Sequence, residues 1–260
     1  MCYIHGMVCV RRRSAAFLPA ILLALLPFAG ARAGDPPPKI TIGAALYPPF
    51  LERAPDGGIA GFERDLLRRF EAAEGVGISF RVIERFDDVL KALDKREIDM
   101  AGGGIHATAD RMARYNFSPY LRSGLVVVGR PGAPSVAGER DLEARRIGVK
   151  RGATGEALAR SLAEKGGGIR VVPYAGTEAS YDALASGAVD VLVDDYLHAR
   201  HLILAGRPVS ILSKPMTSVG MGFAFRKDAR SLALKARLDR FLRRFSRTKE
   251  FRSLYETYFF

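Results

Sequence analysis

Apolar positions along this chain recur in two periods, and stretches of the two periods take turns. KITIGAAL (39–46) is extended and apolar, and the turn-forming YPPF (47–50) follows it. FERDLLRRFEAAE (62–74) instead places Phe62, Leu66, Leu67 and Phe70 on one face of an amphipathic helix. ISFRVIERF (78–86) is extended, DDVLKALDKRE (87–97) helical, and IDMAGGG (98–104) extended again. Strand and helix in alternation predict βαβ units and a mostly parallel sheet, an α/β fold.

A long extended stretch, SPYLRSGLVVVGR (118–130), and the turn-rich PGAPSVAG (131–138) separate this series from a second one. RRIGVKRG, GEALARSLAEK, IRVVPYA, SYDALASG, AVDVLVDD, YLHARHLILAG and PVSILS alternate over residues 145–213 in the same way. Ala92-Leu93 followed by Ile98-Asp99-Met100 is echoed by Ala183-Leu184 followed by Val189-Asp190-Val191, a helix end, a turn and a buried strand start in each case. The echo predicts two lobes of related construction. SVGMGFAFRKD (218–228) is a further strand, and two helical stretches run from Ala229 to Phe260. This last segment is long for the second lobe and is expected to return to the first. The expected organisation is therefore lobe one over 34–125, lobe two over 126–215 and a return segment over 216–260. The chain would then cross twice, near 121–130 and 213–222, forming a two-strand hinge with a ligand cleft between the lobes.

The first 33 residues obey different rules. Arg11-Arg12-Arg13 precede the apolar AAFLPAILLALLPFAG, and Ala31-Arg32-Ala33 follows. A charged start, an apolar stretch and a small-x-small site make a cleaved secretory signal peptide, with a periplasmic destination. Pro19 and Pro27 interrupt an apolar run shorter than the roughly 20 residues that span a bilayer. Both cysteines, Cys2 and Cys9, lie in the removed part, so the mature chain of about 227 residues is expected to have no disulfide and no thiol chemistry. Losing four arginines from 40 basic residues leaves 36 against 28 acidic ones. These charges are spread over mixed helix faces without a series of stacking aromatics, so no nucleic-acid partner is expected.

In GGIHATADRMARYNFSPY (103–120) a histidine and a lone arginine sit between flexible glycines and an extended stretch. Together with YPPF, GFERDL (61–66), GVKRGAT (148–154) and VDVLVDD (189–195), it resembles the family 3 bacterial extracellular solute-binding proteins of polar amino-acid ABC transporters. The resemblance covers nearly the whole mature chain and implies the type II periplasmic binding fold. Glu63, Ala109 and Asp110 depart mildly from the family words G-F-D-x-D-L and T-P-E-R.

The resemblance implies a set of ligand contacts. Arg111, six residues before Phe117, matches the arginine that grips a ligand carboxylate; a guanidinium offers two parallel donors and keeps its charge. Asp195 matches the aspartate that holds the ligand ammonium, with Asp194 as its rival and helix capping as the ordinary alternative for either. Thr154 matches a threonine at a helix N-terminus, where free N–H groups favour an anion. Tyr47 and Phe86 match aromatics that sandwich the ligand side chain, Phe86 being equally suited to the core. Gly104 lets a backbone carbonyl approach the ligand amine. His106 replaces the usual Ser or Thr, and could read an anionic or polar group or narrow the cleft. A metal site would need His198 and His201 to converge on it, and their spacing gives no such convergence, so neither metal nor cofactor is expected.

Three function classes are compatible with these residues. Foremost is a monomeric binding protein that delivers an amino acid or related small carboxylate to an ABC permease. A cyclohexadienyl-dehydratase-like enzyme would carry a glutamate where this chain has His198, and a ligand sensor would use the same closure. GAALYPPF lacks the aspartate of the family's usual G-T-D-x-T-Y-P-P-F, which disfavours a strongly basic ligand. Export predicts a mature chain starting close to Gly34. Mass spectrometry of the secreted protein should find that terminus; material retaining Met1 would count against the leader.

Overall fold

Segments of period two become strands and segments of period 3.6 become helices over residues 39–260, the part of the chain that the computed structural model describes. The expected leader and both cysteines lie outside the described residues. The chain begins with β1 (Lys39–Ala44), a small hairpin of β2 (Glu52–Arg53) and β3 (Ile59–Ala60), then α1 (Phe62–Glu74), β4 (Gly77–Val82), α2 (Phe86–Asp94), β5 (Met100–Gly102), α3 (Ala109–Arg114) and β6 (Asn116–Ser123). It continues through β7 (Leu125–Gly129), β8 (Arg146–Lys150), α4 (Thr154–Glu164), β9 (Arg170–Tyr174), α5 (Thr177–Ala185), β10 (Val191–Asp195), α6 (Tyr196–Leu204) and β11 (Ser210–Ile211). β12 (Val219–Phe225), α7 (Ala229–Phe245) and α8 (Lys249–Phe259) complete it. No helix among the described residues is long and apolar enough to cross a membrane.

The strands form two five-stranded sheets, ordered β4-β1-β5-β12-β6 and β11-β7-β10-β8-β9. Each has a parallel core of three strands, β4-β1-β5 and β10-β8-β9, built from helical crossovers. The other pairs in each sheet are antiparallel, so the sheets are mixed. The reason lies in connectivity: β6, β7 and β12 carry the chain between the sheets directly, without a helical crossover, and run against their neighbours.

The sequence echo has a physical content. Asp99 and Asp190 each immediately precede the middle strand of a five-stranded sheet, β5 and β10. The Asp99 carboxylate accepts from the Thr41 amide at 2.9 Å while its own N–H donates to the Thr41 carbonyl. Asp190 makes the same exchange with Arg146, accepting at 2.7 Å. A short carboxylate at the strand start thus fixes the register of the neighbouring strand in both sheets.

The return of the C-terminal segment follows from its aromatics. Phe62, Leu66, Leu67 and Phe70 of α1 are fully buried against Phe223, Phe225, Phe241, Phe245 and Phe259. Burying one such side chain contributes roughly 1.5–3 kcal/mol, so without α7 and α8 the first sheet would leave a large apolar face in water. The leucines and valines of β7, β8 and β10 fill the second sheet's core.

Two local differences from the sequence reading position the site. The extended stretch 78–86 stops at Val82, and Phe86 opens α2 with its ring turned inward. The run 118–130 is broken at Gly124 into β6 and β7, which belong to different sheets. Next to that break the chain crosses back: the Leu125 amide donates to Thr217 Oγ1 at 2.9 Å, and the Met216 amide to the Leu125 carbonyl at 2.7 Å. The two crossings therefore run side by side as a hinge.

Gly124 is where they come closest, because a Cβ there would lie 2.1 Å from the Thr217 carbonyl oxygen. Gly124→Ala must push the crossings apart, an overpacking that costs about 1–3 kcal/mol. Thermal unfolding should show the midpoint falling by roughly 2–10 °C; an unchanged midpoint would mean that the crossings yield freely.

Candidate functional site

The residues at or just beyond the carboxyl ends of β1, β5, β8 and β10 meet in one cleft between the sheets, the place where open α/β sheets present side chains to a crevice. The space left there is about 30 Å³, enough for a water molecule or two and far below the few hundred Å³ of a ligand pocket. The cleft is closed, and an amino-acid-sized molecule enters only if the sheets part.

One wall is set by a carboxylate. Glu63, fully buried, accepts from the amides of Gly103 at 2.7 Å and Gly104 at 2.9 Å and from the Tyr120 hydroxyl. Burial raises its pKa, while those three donors favour the charged form. The loop it holds needs glycine: Gly103 and Gly104 have φ of 91° and 70°, and a Cβ on Gly104 would lie 2.9 Å from the Tyr47 ring. This loop delivers His106 to the cleft.

Across the cleft His106 Nε2 donates to Asp195 Oδ2 at 2.8 Å, with both side chains buried. Asp195 is also the N-cap of α6, where Oδ1 accepts from the Leu197 and His198 amides. Tyr47, on the loop after β1, donates its hydroxyl to Asp194 Oδ1 at 2.7 Å, and Tyr181 donates to Asp194 Oδ2 at 2.9 Å. Burial raises the pKa of both phenols, and Asp194 adds to it. His198 lies beneath, stacked on the Tyr47 ring at 4.3 Å, with its Nδ1 donating to the Pro48 carbonyl. Burial lowers its pKa. Every carboxylate oxygen of Asp194 and Asp195 is thus engaged by the protein.

The cations are in the opposite condition. Arg111, on the short helix α3, donates from Nη1 to the His106 carbonyl at 3.0 Å and from Nη2 to the Gly152 carbonyl at 3.0 Å. It meets no carboxylate among the described residues, and burial pulls its pKa down to about 10, so it keeps its charge. The Lys150 ammonium, at the end of β8, has no hydrogen-bond or ion-pair partner among the described residues. It lies 3.6 Å from the Tyr47 ring centroid and 4.6 Å from that of Phe86. The guanidinium of Arg111 is 5.3 Å from the same Phe86 ring. Burial is the largest cause pulling the Lys150 pKa down to about 8, with nearby Arg111 acting the same way and Asp194 and Asp195 opposing. Thr154 and Gly155 begin α4 and add its N-terminal amide end to the lining.

The seven residues expected at a ligand site, Tyr47, Phe86, Gly104, His106, Arg111, Thr154 and Asp195, all line this one cleft. Sequence reading passed over Lys150 and Glu63. Lys150 stood inside GVKRGAT as the last residue of an apolar parallel strand, and that position was the available signal. Glu63 gave none beyond its departure from aspartate, since only the fold brings Gly103 and Gly104 to it.

Comparison with known proteins gives this geometry a family. The model of the bacterial extracellular solute-binding proteins, family 3, matches residues 40–260. The chain is similar to the L-arginine-binding protein of Pseudomonas aeruginosa, 30% identical over 230 residues that cover 85% of this chain and 87% of that one. It is also similar to the L-cystine-binding protein of Escherichia coli, 29% identical over 195 residues, or 73% of this chain and 71% of its relative. Among solved structures, an ancestral arginine-binding protein bound to arginine superposes with a TM-score of 0.79 at 25% identity, covering 87% of this chain and all of that one. With two mixed sheets, a double crossing and a cleft at the strand ends, the chain belongs to the bacterial extracellular solute-binding proteins, family 3.

Proposed function

We propose that this protein captures an amino acid or related small carboxylate in the periplasm and delivers it, as a monomer, to an ABC transporter permease. The observation that carries the reading is the Arg111 guanidinium, held by two backbone carbonyls, facing the N-terminus of α4 and lacking any carboxylate partner among the described residues. A desolvated guanidinium without a counter-charge is a receptor for an anion, and bidentate pairing with a carboxylate is what it recognises best. Residues 34–125 with 216–260 would move as one lobe and 126–215 as the other, the double crossing at Gly124 and Thr217 being the hinge. Contacts already made across the cleft by His106, Tyr47 and Arg111 support closure as the movement that traps the ligand. The relatives' names span arginine and cystine, so the ligand does not follow from kinship.

In this reading the protein has no turnover. His198, at the place of a dehydratase glutamate, is buried beneath Tyr47 and spends its Nδ1 proton on the Pro48 carbonyl. Incubation with prephenate or arogenate should give no aromatic product above the uncatalysed rate; product formation would move the assignment to an enzyme.

Arg111→Ala tests the carboxylate grip. A charge-assisted hydrogen bond contributes roughly 1.5–3 kcal/mol, so calorimetric affinity for whichever amino acid or small carboxylate binds the wild type should fall about tenfold to over a hundredfold. The thermal midpoint of the ligand-free protein should change little, because Arg111 makes no ion pair among the described residues and its guanidinium donates only to two backbone carbonyls and the Thr154 hydroxyl. Undiminished binding by the folded variant would remove Arg111 from the site.

A further inference from the structure

The aromatic pair in this cleft already has a cation of the protein's own. The Lys150 ammonium lies against both rings, 3.6 Å from the centroid of Tyr47 and 4.6 Å from that of Phe86. A second cation brought by a ligand would have to share those faces with it, and like charges at contact distance in a desolvated site exclude one another. The anions that could have drawn a ligand cation are committed: Asp194 to Tyr47 and Tyr181, Asp195 to His106 and the start of α6. His106 occupies the Asp195 oxygen that the amides of α6 leave open. What remains without a counter-charge among the described residues is positive: Arg111, Lys150 and the N-terminal end of α4, with Arg111 and Lys150 both over the Phe86 ring.

We infer that the cleft takes a small dicarboxylate, one carboxylate gripped by Arg111 and the N-terminus of α4, the other by the Lys150 ammonium between Tyr47 and Phe86. The inference rests on the binding role proposed above and narrows it to a charge class. A lysine that fills the space between the two rings from within excludes a cationic amino acid side chain there. An amino dicarboxylate and its amino-free counterpart share the recognised chemistry. They differ in whether the ligand displaces His106 from Asp195.

The Lys150 charge also gives the binding a pH signature. The charged and titratable groups around it are Arg111 of α3, Asp194 and Asp195 of β10 and the His198 imidazole of α6, with the Tyr47 phenol against its ammonium. Burial leaves the ammonium with a pKa of about 8. An anion bound beside it raises that value, so dicarboxylate affinity is full below about 8 and declines as pH rises from there toward the value in the complex.

The test is calorimetric titration of the exported protein, freed of co-purified small molecules, with glutarate, L-glutamate, L-glutamine and L-arginine. Glutarate or L-glutamate should bind at least about tenfold tighter than L-glutamine and far tighter than L-arginine. Lys150→Met should weaken the tighter dicarboxylate by about tenfold or more, the scale of one lost charge-assisted contact, and flatten its decline between pH 7 and 9.5. Lys150→Arg, which keeps the charge, should retain most of that affinity and serves as the check on folding. Tightest binding by glutarate means that Asp195 keeps His106, and by L-glutamate that the ammonium displaces it; both agree with a dicarboxylate site. Tighter binding of L-glutamine or L-arginine, or unchanged dicarboxylate affinity in Lys150→Met, overturns the inference and leaves the binding role standing. No heat with any of the four also overturns it. If the exported protein, denatured before co-purified small molecules are removed, also releases no small carboxylate detectable by mass spectrometry, the binding role falls with it.

Discussion

The cleft of this protein is governed by an imbalance of desolvated charge. Arg111 and Lys150 are drawn out of water into a space of about 30 Å³ without a carboxylate partner among the described residues. The two neighbouring aspartates are fully engaged by tyrosines, a histidine and the amides of α6. Placing two cations beside the positive end of a helix raises the free energy of the closed state. Aromatic faces recover part of that cost, since a ring quadrupole attracts a cation over it. The remainder is available to any molecule that brings negative charge to the right place.

The contacts that hold the sheets together are of a kind that can be undone. The His106–Asp195 pair, which is buried, and the Tyr47–Asp194 hydrogen bond, which is partly buried, both span the cleft. Buried polar pairs gain Coulomb energy but lose hydration, and the balance is small. They therefore align the two halves without locking them. Side-by-side crossings at Gly124 and Thr217 limit the movement to a hinge. The frame behind this is rigid by contrast: Glu63 ties down the glycine loop and the phenylalanines of α1, α7 and α8 form a continuous core.

Family and ligand are decided by different residues. The periodicities, the strand-opening aspartates and the crossings specify a backbone shared with proteins named for arginine and for cystine. Ligand choice depends on a few side chains at strand ends, where one substitution changes charge without disturbing the fold. Lys150 and His106 stand at such positions, each lining the cleft.

Much of the architecture was legible in the sequence because it is written in local periodicity. Alternating strands and helices, the break before the second series and the helix-end, turn and strand-start echo at Asp99 and Asp190 all depend on residues near one another in the chain. Arg111, Asp195 and Thr154 could be singled out because they fall in words the chain shares with its family, and for Asp195 and Thr154 a strand end and a helix start support the same choice. The tertiary structure alone decided their partners. His106 and Asp195 are 89 residues apart and Tyr47 and Asp194 are 147 apart. No local pattern announces that one satisfies the other. The same holds for Glu63, whose value lies in two amides 40 and 41 residues away, and for Lys150, whose significance is that two rings from the other sheet close over it. Sequence determines which groups are present and which face of an element they occupy. Charge balance in a desolvated cleft is set by pairings between distant segments, and those exist only once the chain has folded.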